Sequence, residues 1–129
     1  MFKVEDVMVR DVLSVLPSTP IYEAMKLILK HRISGLPVVD FDNNLVGIIT
    51  EKDMLVLLME KAIDENQSVD EFMTKEVKSF RKEDNILDIC EFFIERPIRR
   101  VPIVDGRKLV GIVSRSDIVK LILRLRNQL

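Results

Sequence analysis

Leu45-Val46-Gly47-Ile48-Ile49-Thr50-Glu51-Lys52-Asp53-Met54-Leu55 returns 64 residues later as Leu109-Val110-Gly111-Ile112-Val113-Ser114-Arg115-Ser116-Asp117-Ile118-Val119. Each copy runs a short apolar, β-prone stretch into a hydroxyl residue, an acid three positions on, and an apolar helical run. That order spells strand, helix N-cap, helix. Working outward at an offset of 65, Val4-Glu5-Asp6-Val7-Met8 aligns with Val69-Asp70-Glu71-Phe72-Met73. The register continues through Val12/Val77, Ser14/Ser79, Ile21/Ile86, Ile33/Ile98, Pro37/Pro102 and Asp40/Asp105. One residue is then lost in a loop, where Phe41-Asp42-Asn43-Asn44 is answered by Gly106-Arg107-Lys108. The chain is an internal duplication, residues 1–66 and 67–129.

Within the first copy, Val12 to Leu16 is β-rich and is stopped by Pro17-Ser18-Thr19-Pro20. Thr19 is placed as an N-cap with Pro20 at the first helical position. Ile21, Ala24, Met25, Ile28 and Leu29 follow at helical spacing, and the helix should end near His31-Arg32, cations that suit its C-terminal dipole. Leu36–Val39 and Leu45–Ile49 read as strands around the turn Asp40-Phe41-Asp42-Asn43-Asn44, and 51–66 as a second helix. The unit is β-α-β-β-α, repeated in the second copy with Asp84 as the cap and a helix over 86–95. The fold class is α+β.

The 129 residues suffice for one domain with a real core. No apolar run approaches the roughly 20 residues of a membrane span, and the acidic start, Met1-Phe2-Lys3-Val4-Glu5-Asp6, is unlike a secretory signal. The expectation is a soluble, cytoplasmic protein. One cysteine, Cys90, excludes an intrachain disulfide or a cysteine-cluster metal site; on an apolar helix face beside Phe93 and Ile94, it reads as a core thiol. His31, the only histidine, reads as a surface residue and excludes a histidine-rich metal site. Charge is uneven. Residues 1–95 hold 11 Lys+Arg against 19 Asp+Glu, a net −8, whereas residues 96–129 hold 9 against 2, a net +7. Such a split fits either complementary solvated faces or a basic surface for an anion such as phosphate or nucleic acid.

Met54-Leu55-Val56-Leu57-Leu58-Met59 is apolar without interruption, and Ile118-Val119-Lys120-Leu121-Ile122-Leu123 is broken only at Lys120. A helix apolar on every side needs cover on every side. One side can pack on its own sheet, and the other requires the facing half or a second chain. The expectation is a homodimer to which these helices contribute.

The duplication, the element order and the paired Gly-x-x-[Thr/Ser]-x-x-Asp segments together resemble a tandem pair of CBS domains, a Bateman module. The matching residues are Ile33-Ser34-Gly35-Leu36-Pro37-Val38-Val39-Asp40 with Val46 to Asp53, and Ile98-Arg99-Arg100-Val101-Pro102-Ile103-Val104-Asp105 with Val110 to Asp117. The resemblance covers nearly the whole chain. It implies two pseudosymmetric repeats packed as one module, with clefts that in the family often take AMP, ADP, ATP or S-adenosylmethionine. By the family pattern, Ser114 and Asp117 would face ribose and phosphate, with Thr19, Ala24, Ile33 and Ser34 on the adenine side and Ile112 beneath. This set is similar to the nucleotide-binding repeats in the gamma subunit of AMP-activated protein kinase. In the other cleft Thr50 and Asp53 would take the ribose, with Ile48, Ile98, Arg99 and Arg100 around base and phosphate. The second copy departs in having Asp84-Asn85 for Thr19-Pro20 and Ile89 for Ala24, which makes the second cleft tighter around a base, or empty.

The residue chemistry is compatible with this on its own terms. A carboxylate can accept both hydroxyls of a ribose, a helix N-terminus favours a phosphate, and arginines can bind one bidentately. Thr50/Asp53 and Ser114/Asp117 equally have capping-box spacing, which requires no ligand; the residues alone leave both open. No nucleophile–base pair, metal cluster or phosphate-binding glycine loop is present, so an enzyme is not expected. Two functions follow: a sensor of adenosine compounds that signals to an unidentified effector protein, or a nucleic-acid-binding or protein-interaction scaffold using the basic C-terminal half.

Overall fold

The computed structural model describes residues 2–61, 64 and 66–128. In chain order these form α1 (Ile21–His31), β1 (Gly35–Val39), β2 (Leu45–Thr50), α2 (Glu51–Met59), β3 (Phe80–Arg81), α3 (Ile86–Glu95), β4 (Arg100–Asp105), β5 (Lys108–Ser114) and α4 (Arg115–Asn127). Short 3-10 turns occupy Val4–Asp6 and Val69–Glu71. The α+β class is that expected, and the second repeat shows the expected β-α-β-β-α order, whereas the first shows α-β-β-α.

The chain packs into two compact units whose limits cut across the sequence repeats. Leu13–Val77 forms one unit, and Lys78–Leu129 joins with Met1–Val12 to form the other. The segment that opens each repeat therefore packs with the other repeat's helices and strands.

In the 13–77 unit, β1 and β2 pair antiparallel, Gly35 opposite Thr50 and Pro37 opposite Ile48. Their loop is closed by Asp40 Oδ1, which accepts from the backbone N–H of Asp42 and of Asn44, both at 2.9 Å. Helix α1 buries Ile21, Ala24 and Ile28, one face at helical spacing, against Val15, Leu36, Val38, Ile49, Leu57 and Val69. It stops where expected: Arg32 turns left-handed (φ 54°) and returns its N–H to the Ile28 carbonyl. The strand expected over 12–16 is only one parallel bridge, Val15 to Val38; Pro17 follows and offers no N–H to extend it.

Helix α1 begins one residue later than expected, whereas α3 spans the expected 86–95, and both are capped one residue later than expected. Thr19 is not the cap of α1. Pro20 holds that position, and the Thr19 hydroxyl instead accepts the Leu16 N–H at 3.0 Å, closing the preceding turn. Asp84 is likewise not the cap of α3. It accepts the Arg81 N–H at 2.7 Å, and Asn85 caps the helix by accepting from Leu87 N–H at 2.9 Å. Helix α2 ends at Met59, not at Asn66, because Glu60 closes it and Lys61 takes a left-handed φ of 51°; positions 62, 63 and 65 of that expected span lie outside the described residues.

In the other unit β3 pairs parallel with β4, and β4 antiparallel with β5. The tight β4–β5 turn uses Gly106 at φ 63°, open to any conformation for want of a Cβ. Val4, Met8, Ile86, Ile89, Phe92, Phe93, Val101, Ile103, Val113 and Leu121 make the core, with Phe80 edge-on to Phe92 at 5.5 Å. Val9 bridges Ile112 in this unit as Thr74 bridges Ile48 in its companion. Those segments explain the repeated glycine. A Cβ on Gly47 would stand 2.9 Å from both the Met73 sulfur and the Thr74 carbonyl, and one on Gly111 would stand 2.5 Å from the Met8 sulfur.

Helices α2 and α4 each bury one side chain, Leu57 and Leu121. Leu55, Leu58 and Met59 on α2, with Val119, Ile122 and Leu123 on α4, are all exposed by more than half. Among the described residues, nothing covers these six side chains by more than half. Cys90 is half-buried, not core, and its neighbour Ile94 points outward; burial pushes the thiol pKa up.

Candidate functional site

The end of the β1–β2 hairpin gathers most of the first repeat's candidate residues. Thr50 leaves β2 in an extended conformation and caps α2: its hydroxyl accepts the Asp53 N–H at 3.3 Å and donates to Asp53 Oδ2 at 2.9 Å. The Thr50 N–H reaches the same carboxylate oxygen at 2.9 Å, completing a capping box. Glu51 N–H donates to the Ser34 carbonyl at 2.9 Å, which draws the β1 entrance to the helix start. Ile33, half-buried, packs on the core, Ser34 is exposed, and Ile48 is half-buried one pleat before Thr50. Ala24 lies at 0% exposure within the unit's core and Thr19 is half-buried beside α1.

The second repeat builds the same corner. Ser114 caps α4, with Ser114 Oγ accepting the Asp117 N–H at 3.3 Å, and its N–H and hydroxyl each donating to Asp117 Oδ2 at 2.8 Å. Arg100 is the register partner of Ser114 across β4 and β5. Burial lowers the pKa of the half-buried guanidinium, and the nearby Asp117 carboxylate opposes that shift; a desolvated cation of this kind gains from an added anion. Ile112 is buried, while Ile98 and Arg99 are exposed.

Three further participants lie outside the candidate residues named above. Ser116 Oγ lies 2.8 Å from Ser114 Oγ. The Thr74 hydroxyl donates to Asp53 Oδ1 at 3.3 Å. Arg115 binds carbonyls at the end of α3. Ser116 had a local signal, a third oxygen-bearing side chain in the Ser-Arg-Ser-Asp run; the others depend on residues about 20 positions away. The two corners therefore differ. Asp53 has both carboxylate oxygens engaged, whereas among the described residues Asp117 Oδ1 accepts no hydrogen bond. Either corner places acceptor oxygens beside a helix N-terminus, an arrangement able to hold vicinal hydroxyls and an adjacent anion. Among the described residues, no group of three His, Cys, Asp or Glu side chains could hold a metal ion, and no helix is long and apolar enough to cross a membrane.

The CBS domain family model matches residues 4–60 and again 69–124. The chain belongs to the CBS domain family. It is a CBS pair, similar to the solved CBS-pair protein CBSX2 of Arabidopsis thaliana in complex with AMP, at 30% identity and a TM-score of 0.87 over 98% of this chain and 99% of that one. A CBS domain pair solved with 5′-methylthioadenosine and S-adenosyl-L-methionine is 30% identical, with a TM-score of 0.80 over 96% of this chain and 98% of that one. An inosine-5′-monophosphate dehydrogenase of Methanocaldococcus jannaschii is 37% identical over 92% of this chain, which spans 23% of that enzyme. An uncharacterized protein of the same organism is 31% identical over 92% of this chain, which spans 42% of it. The CBS pair thus spans less than half the length of these two curated relatives.

Proposed function

We propose that this CBS pair is a regulatory module that binds an adenosine compound through the Ser114/Asp117 and Thr50/Asp53 corners and passes the state of occupancy to a partner protein. One observation carries the reading: at Ser114 the capping box uses Asp117 Oδ2 and leaves Oδ1, on the same carboxylate, as an acceptor for a ribose diol. The AMP and S-adenosylmethionine complexes of CBS pairs at 30% identity support the ligand class. In this reading the contacting residues are Ile98, Arg99, Arg100, Ile112, Ser114 and Asp117 in one unit, and Thr19, Ala24, Ile33, Ser34, Ile48, Thr50 and Asp53 in the other. A ligand shifts the module only by its unequal affinity for two arrangements, and that difference is the whole energy of the signal. The exposed apolar faces of α2 and α4 support self-association as a homodimer, and the protein acts without catalysis of its own in the cytoplasm.

Calorimetric titration with AMP, ADP, ATP, S-adenosylmethionine and NADH tests the ligand reading. Saturable binding of one compound, lost in Asp117→Ala or Asp53→Ala, is the expected result. Silence from all five reduces the motifs to helix caps. Nucleic-acid binding through the basic C-terminal half is separated by salt, because its affinity would fall steeply between low and moderate ionic strength.

A further inference from the structure

The two repeats close their first helices by different chemistry. Ile28 and Phe93 are equivalent positions at the offset of 65, as are Arg32 and Pro97. At the end of α1 the Ile28 carbonyl receives the N–H of Arg32, and that of Ile33 at 3.2 Å. At the end of α3 the residue due to serve the Phe93 carbonyl is Pro97, which has no N–H. Proline also excludes helical geometry from the residue before it, and Arg96 is accordingly extended at φ −132°, ψ 148°. The left-handed closure used by α1 is thus unavailable to α3.

Arg115 supplies the missing donor. Its Nη2 donates to the Phe93 carbonyl and to the Arg96 carbonyl, both at 2.8 Å, and the guanidinium lies 5.9 Å from the Phe93 ring centroid. Its backbone N–H holds the Arg99 carbonyl at 2.9 Å. One residue therefore ties down residues 93, 96 and 99. In the first repeat the same position is Glu51, which keeps the backbone bond to Ser34 but has no side-chain donor, and α1 needs none.

We propose that Arg115 is a positioning residue that sets the Ile98-Arg99-Arg100 segment for the anionic end of a ligand, replacing the backbone closure that Pro97 removes. The functional half of this statement rests on the adenosine reading above; the structural half does not. A side chain that merely stabilises the unit would weaken all ligands alike when removed. A side chain that aims Arg99 and Arg100 would weaken phosphate-bearing ligands more than adenosine, because the ribose is held outside this segment and of its three residues only the apolar Ile98 suits the face of a base.

The test is a double-mutant cycle of Arg115→Met and Pro97→Ala, read by AMP affinity, adenosine affinity and amide hydrogen exchange at residues 98–100. Arg115→Met should lower AMP affinity about tenfold, the scale of one lost charge-assisted contact, while adenosine affinity stays within about twofold. Pro97→Ala in the same chain returns an N–H to position 97 and should restore most of the AMP affinity and exchange protection. Equal loss of AMP and adenosine, or no rescue by Pro97→Ala, overturns the proposal. If wild-type protein binds neither compound, the adenosine reading fails by itself, and unchanged exchange at 98–100 in Arg115→Met then overturns the structural half. Should Arg115→Met not fold, Arg115→Lys, which keeps a donor, must retain more AMP affinity than Arg115→Gln.

Discussion

Gly47 and Gly111 are repeat equivalents, yet alanine at the two positions should have unequal effects. At Gly47 the added methyl meets the Thr74 carbonyl oxygen at 2.9 Å, short of ordinary contact at 3.4 Å by 3.4 − 2.9 = 0.5 Å. That carbonyl cannot turn away, because it accepts the Ile48 N–H at 2.9 Å while Thr74 N–H donates to the Ile48 carbonyl at 2.8 Å. Relief means opening a two-bond bridge, and overpacking against fixed backbone costs about 2–3 kcal/mol. At Gly111 the three nearest atoms all belong to the Met8 side chain: sulfur at 2.5 Å, Cγ at 2.8 Å and Cβ at 3.0 Å. The sulfur and Cγ can leave by rotation, since methionine is unbranched and adaptable. Replacing glycine within a strand also recovers roughly 0.5–1 kcal/mol of chain entropy at either position, so the net cost falls to about 2 kcal/mol at Gly47 and below about 1 kcal/mol at Gly111. Urea unfolding of the two variants measures this directly, and in thermal scans 1 kcal/mol corresponds to about 4 °C for a chain of this size. Gly47→Ala should lose about 8 °C and Gly111→Ala less than half of that. If Gly111→Ala proved as damaging as Gly47→Ala, the distinction between fixed backbone and mobile side chain would be wrong.

Removing the capping hydroxyls, by Thr50→Ala or Ser114→Ala, should destabilise by about 1 kcal/mol each in denaturant titration, whether or not a ligand is present. Because burial raises the Cys90 pKa, folded protein holds that proton more tightly than unfolded chain; stability is full below the ordinary thiol pKa and declines as pH rises through the folded value. Cys90→Ala should remove that alkaline decline, and melting curves from pH 7 to 10 will show whether it does. Leu58→Glu with Ile122→Glu places charge on the uncovered faces of α2 and α4 and should leave a folded monomer in light scattering; an unchanged dimer would locate self-association elsewhere.

What could be foreseen from sequence was what local spacing encodes. Thr50 with Asp53, and Ser114 with Asp117, lie within one helical turn of each other, so pattern alone brings them together. The caps of α1 and α3 were missed by one residue because Thr19 and Asp84 have competing local acceptor roles, to Leu16 N–H and Arg81 N–H, that outrank capping. The end of α2 was missed because the run from Met54 to Met59 has no polar face to show a period, and a lysine, not a glycine, takes the left-handed turn. Thr74 at Asp53 and Arg115 at Phe93 act across 21 and 22 positions, beyond any local pattern. The same blindness hid the exchange of opening segments: repetition shows which residues are equivalent but is silent on which copy each one touches.

That exchange gives the chain an order of completion opposite to its order of synthesis. Leu13–Val77 is continuous, with its core and its Ile48–Thr74 bridge present once that stretch is made. Its companion needs Val4 and Met8, made first, to meet Ile103 and Val113, and Val9 to find Ile112 about a hundred positions later. Until then the opening segment carries an unburied apolar edge past a unit that has already closed. Loop closure over so long a span makes it the slow, late step of folding and the point at which a stalled chain is exposed to aggregation. A cut at the repeat boundary would separate both units from a strand partner, whereas excising 13–77 leaves one of them whole.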